Sequence, residues 1–82
     1  MPLIRVQLHG LLGVVADDPG GWVDLALTEG ADVASAMDVL GERSSLVDPR
    51  ACMALVAKTK VPLNHVLRAG EELHLYHLFR GG

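Results

Sequence analysis

Only one stretch of this chain repeats its apolar residues with a helical period, and it is short. After Asp32, the residues Val33, Ala36, Met37 and Leu40 recur at i, i+3, i+4 and i+7, while Ser35, Asp38 and Glu42 fall elsewhere. That spacing puts four apolar side chains on one face of a helix. Asp32 suits the N-cap, because its carboxylate can accept from the open amides of the first turn and its charge complements the helix N-terminus. Gly41 weakens the helix, and "SSLVDP" ends it by Pro49. A lone amphipathic helix must bury its stripe, so the rest of the chain has to supply the surface beneath it.

Strands supply that surface. In "LIRVQLH", Ile4, Val6 and Leu8 alternate with Arg5, Gln7 and His9, the pattern of a half-buried strand. "WVDLAL" repeats it, with Val23, Leu25 and Leu27 inward and Asp24 outward. "ACMALVA" is apolar on both faces, as expected of a central strand in a mixed sheet. "KTKVPLNHVLRAG" reads as a turn, a short extended piece and a loop, and Pro62 restricts any strand there to a sheet edge. In "EELHLYHL", Leu73 and Leu75 share one face, and Glu72, His74, Tyr76 and Leu78 the other. "GLLGVVADDPGG" is broken by Gly10, Gly13, Pro19, Gly20 and Gly21 and reads as a loop. The connection between the first two strands favours an antiparallel hairpin. The expected fold is α+β, a four- to five-strand mixed sheet with one main helix packed on one face, in a single domain over residues 1–82.

Composition narrows the function classes. Half of the residues are hydrophobic, which argues against disorder. Cys52 is the one cysteine, so no internal disulfide forms, in keeping with a reducing compartment. No signal peptide is evident, and no apolar run approaches the roughly 18 residues of a membrane span. A cytoplasmic protein without membrane association is expected. The net charge of −3 disfavours generic nucleic-acid binding. That charge is uneven: residues 1–49 carry −6 and residues 50–82 carry +3. The basic C-terminal third suits steering toward an acidic partner.

The final third carries specific motifs. "VPL" follows the third strand, Leu67-Arg68-Ala69-Gly70-Glu71-Glu72-Leu73 leads into the last, and Gly81-Gly82 comes directly after it. Together with the element order, these resemble the MoaD/ThiS sulfur-carrier family, whose members have the ubiquitin-like β-grasp fold. Two features depart from the family. "AKTK" stands where the family has a hairpin Asn-Gly, so the usual turn chemistry is missing. "HLFR" before the glycines is closer in character to the tail of ubiquitin.

The resemblance implies a carrier without catalysis or bound cofactor of its own. An adenylyltransferase related to ubiquitin-activating enzymes would use ATP to adenylate the Gly82 carboxylate. A sulfurtransferase or desulfurase would then convert it to a thiocarboxylate. An acceptor synthase, either the molybdopterin synthase large subunit or a thiazole synthase, would receive the sulfur. Glycine lacks a Cβ, so Gly81-Gly82 can pass a narrow channel, and residues 79–82 are expected to form a flexible tail with Arg80 beside the pair. Phe79, Leu78, Tyr76 and His74, with Leu55 or Met53 from the neighbouring strand, are expected to form an exposed apolar partner-binding patch. The alternative is local packing of Tyr76 and Phe79. Two other functions compete with the carrier: a ubiquitin-like modifier conjugated through Gly82, and a β-grasp binding module without tail chemistry.

Other candidates are weaker. His74 and His77 project to opposite faces of a strand and lack a third ligand, so no metal site is expected. His9 and His65 read as surface or edge residues, and Cys52 as a small core residue. Asp17-Asp18 lacks calcium-site spacing, the loop glycines lack a following Lys-Ser/Thr, and Trp22 receives no role.

Overall fold

The computed structural model describes residues 2–78. In chain order its elements are β1 (Leu3–Leu8), a 3-10 helix (Gly10–Val15), β2 (Trp22–Ala26), α1 (Val33–Gly41), β3 (Cys52–Val56), β4 (Thr59–Val61) and β5 (Glu72–His77). The strands form one sheet in the order β2-β1-β5-β3-β4. β5 runs parallel to β1 and antiparallel to β3, while β1–β2 and β3–β4 are antiparallel pairs. This is the expected five-strand mixed sheet of a β-grasp fold. β3 lies one strand in from the edge, and β5 holds the centre.

The alternation of each strand decides its faces. Ile4, Val6, Val23, Leu73 and Leu75 are at most 1% exposed, and Val33, Ala36, Met37 and Leu40 of α1 are buried to the same degree. The helix stripe and the inner sheet face therefore close one core. The first turn of the helix is anchored from outside it, which fixes its position. Val33 N–H donates to the His65 carbonyl and Ala34 N–H to that of Leu63, at 3.0 and 2.9 Å. Ser35 N–H donates to Asp32 Oδ1 at 2.9 Å and Ala36 N–H to the Asp32 carbonyl at 3.2 Å. The first three satisfy the open amides of the first turn, and the last is the first bond of the helix itself. The bonds from Ser35 hold the Asp32 carboxyl below its usual range. Cys52 is buried, as expected, and desolvation pushes its thiol up.

The segment after β1 is more ordered than its glycines suggest. Gly10–Val15 forms a 3-10 helix instead of a plain loop, because Leu12 plugs the core at 0% exposure. Such a short element, at three residues per turn, shows no period in the sequence. Its far end returns through Gly21, where φ is +85°. A Cβ there would lie 2.5 Å from the Leu8 carbonyl oxygen. Gly21→Ala is expected to lower stability by about 3 kcal/mol, through the left-handed backbone and this clash. Urea unfolding checks it, and an unchanged midpoint would contradict the packing described.

The β3–β4 turn corrects a second expectation. Val56 pairs with Thr59, so Ala57 and Lys58 alone close the hairpin. Both occupy the left-handed region, at φ 51° and 65°. The positive-φ turn is therefore kept without the Asn-Gly that usually makes it. β4 stops at Val61, and Pro62 follows on an edge strand where its missing N–H breaks no ladder.

Candidate functional site

The sheet face opposite α1 gathers residues distant in sequence. The register places Gln7 and Leu55 on either side of His74, and Met53 beside Tyr76. His9, one step past β1, stacks on Tyr76 with ring centroids 4.1 Å apart and a 10° interplanar angle. Its Nε2 lies 2.9 Å from His74 Nδ1. The Glu72 carboxylate sits 3.8 Å from His74 Nε2. One ring therefore donates to the other, and the Glu72 carboxylate lies on the Nε2 side of His74. Trp22 meets the His74 ring edge-on at 6.0 Å, and the Arg5 guanidinium lies 4.2 Å above the indole. Beside this cluster runs a groove of about 780 Å³, walled by Leu55, Ala57, Lys58, His74 and Tyr76.

Among the expected partner residues, Leu55, His74 and Tyr76 line this groove together. Each is half-buried, and His9 and Tyr76 cover one another's rings. Part of Tyr76 thus packs locally. Leu78 lies just past β5, 43% exposed, and its N–H donates to the Ala51 carbonyl at 2.7 Å. The expected roles of Phe79, Arg80, Gly81 and Gly82 lie outside the described residues. His74 pairs opposite Leu55 and His77 opposite Cys52, so the register separates the two histidines. His65 faces Glu71 at 3.4 Å, a partly buried contact.

His9 and Trp22 are the site residues that sequence reasoning missed. The one signal for His9 was its place at the end of the outward-facing Arg5-Gln7-His9 series. Burial first, and His74 second, hold the His9 imidazole below its ordinary value. The native state therefore binds fewer protons than the unfolded chain near that value. The stability His9 confers is full above about pH 6.5 and is lost as pH falls below it. Acidification from neutrality should lower the melting temperature, and His9→Gln should flatten that slope. An identical slope in the variant would show that His9 does not titrate this way.

No helix among the described residues is long and apolar enough to cross a membrane. No protein-family model matches the sequence, and no curated protein matches it as a relative. Solved structures do match. Small archaeal modifier protein 1 of Haloferax volcanii superposes with a TM-score of 0.77 at 20% identity, covering 96% of this chain and 100% of that one. A putative molybdopterin converting factor subunit 1 from Pyrococcus furiosus gives 0.74 at 16% identity, with 96% and 100% coverage. A chain from the complex of subunits 1 and 2 of molybdopterin-converting factor from Helicobacter pylori gives 0.66 at 17%, with 98% and 99% coverage. At these identities the likeness establishes the fold, shared from end to end.

Proposed function

We propose that this protein is a sulfur carrier whose reactive group is the Gly82 carboxylate. One observation carries the reading: the central strand of a complete β-grasp sheet leads, within five residues of His77, to Gly81-Gly82. A carboxylate resists nucleophiles. Attack of its oxygen on the α-phosphorus of ATP, with loss of pyrophosphate, makes an acyl-adenylate. Hydrosulfide released by the sulfur donor then attacks the acyl carbon, AMP leaves with that oxygen, and loss of the S–H proton leaves a thiocarboxylate. Two easier steps thus replace one hard one. The activating adenylyltransferase and the sulfurtransferase or desulfurase supply the catalysis, while this chain is the carried co-substrate. The Helicobacter complex of subunits 1 and 2 of molybdopterin-converting factor supports a synthase subunit as acceptor, with a thiazole synthase as the alternative. The groove and the His9–His74–Tyr76 cluster give such partners a surface to hold while the tail is threaded.

A second reading has its own support in the likeness to an archaeal modifier protein: Gly82 would form an isopeptide bond with a lysine of another protein. Intact mass spectrometry after incubation with ATP, the activating enzyme and a sulfur donor separates the two. A chain heavier by the difference between sulfur and oxygen is expected for the carrier. A covalent conjugate without that shift would establish the modifier instead.

A further inference from the structure

His9 and His74 touch through one nitrogen of each ring. His9 Nε2 and His74 Nδ1 lie 2.9 Å apart. The ring centroids are 5.1 Å apart and the planes differ by 29°. That centroid distance is close to the nitrogen separation plus one ring radius at each end, so the two rings meet edge to edge. The facing nitrogens point at each other, and a single hydrogen fits between them.

The proton count decides when this contact survives. A neutral pair carries two protons on four ring nitrogens, one of them between the rings. A singly charged pair carries three, one on each outer nitrogen and one still between. His74 Nε2, an outer nitrogen, then turns its proton toward the Glu72 carboxylate at 3.8 Å. A doubly charged pair carries four, which sets N–H against N–H and breaks the contact. The pair thus tolerates one added proton and fails at the second.

The surroundings divide over added charge. On β5, Glu72 favours it, and His77 pairs opposite Cys52, away from this face. Glu71 on the groove wall favours it weakly, being engaged by the Arg68 N–H and His65. Lys58 on the same wall opposes it. Arg5 lies over Trp22, which meets His74 edge-on, and Asp17, Asp18 and Asp24 around Arg5 offset its charge. β3 brings Leu55 and Met53, and the 3-10 helix brings no charged residue. Burial and His74 already hold the His9 imidazole below its ordinary value, so the second proton is the harder one to add.

His9 is placed to move when the contact breaks. Its ring covers Tyr76 at 4.1 Å, while its own N–H is tied to the Leu75 carbonyl at 3.0 Å. Release would therefore swing the side chain and leave the strand in place. We infer that the His9–His74 pair is a proton-operated latch, which holds His9 over Tyr76 until both imidazoles are charged and then bares Tyr76 to the groove. The latch belongs to this face alone and does not depend on the chemistry of Gly82.

Nuclear magnetic resonance of the labelled full chain, titrated from about pH 8 to about pH 4, tests it. The ring nitrogens of His9 and His74 should titrate in two steps at least about one pH unit apart. The Tyr76 ring signals should move with the second step and not the first, while the amides of β1 and β5 keep their positions. His74→Asn sets a carbonyl oxygen near the place of Nδ1, and that oxygen accepts from His9 Nε2–H whether or not His9 is charged. The Tyr76 signals of this variant should stay constant across the range. His74→Gln carries the same expectation and replaces it if the asparagine chain does not fold. Coincident steps, Tyr76 moving with the first step, strand amides lost together with the Tyr76 change, or an unaltered Tyr76 transition in the variant would overturn the inference.

Discussion

Replacing Gly81 by valine is expected to slow adenylation of Gly82 by at least about a hundredfold, the scale of a misplaced reacting group, and to leave the melting temperature unchanged. Two physical facts combine in this result. Valine carries a branched Cβ that restricts the backbone and thickens the chain where, on the carrier reading, it would pass through a channel in the activating enzyme. The buried core of the described residues runs from Ile4 to Leu75. Loss of activity with stability retained therefore separates threading from folding. Steady-state pyrophosphate release measures the first and thermal unfolding the second. A normal rate in the variant would end the threading argument. A lowered melting temperature would mean that Gly81 belongs to the fold.

The second large effect lies in the core. Leu75 is fully buried on the central strand, paired with Leu8 on one side and Ala54 on the other. Leu75→Ala removes packing that neither neighbouring strand can restore by moving, because both are bound to β5 by their ladders. The expected cost is about 2–5 kcal/mol. Set against a total stability of about 5–15 kcal/mol for a domain, this is a large fraction. The melting temperature should fall by at least about 10 °C. A shift of a few degrees would mean that the strand is not the centre of the sheet. His74 and Tyr76 flank Leu75 on the opposite face, so the same substitution should also loosen the groove.

Most of the architecture was legible because its elements bury one face each. Period-two alternation placed Ile4, Val6, Leu73 and Leu75 inward, and the i, i+3, i+4 spacing after Asp32 placed α1 on them. What was hidden depends on pairings between distant segments. The contact of His9 with His74 spans 65 positions and exists only because β1 and β5 run parallel. Local sequence carries no mark of that register. Ala57-Lys58 lacks turn chemistry of its own, and the β3–β4 ladder imposes its left-handed backbone from both sides. The 3-10 helix was concealed by the glycines around Leu12, whose burial holds it in place. Trp22 looked like a strand opener, yet it carries Arg5 on its ring beside the histidine pair.

The most direct measurement is tandem mass spectrometry of the C-terminal fragment after incubation with ATP, the activating enzyme and a sulfur donor. Sulfur in place of one carboxylate oxygen on Gly82 is the expected result. An unaltered Gly82, or sulfur attached at Cys52 instead, would contradict the carrier function.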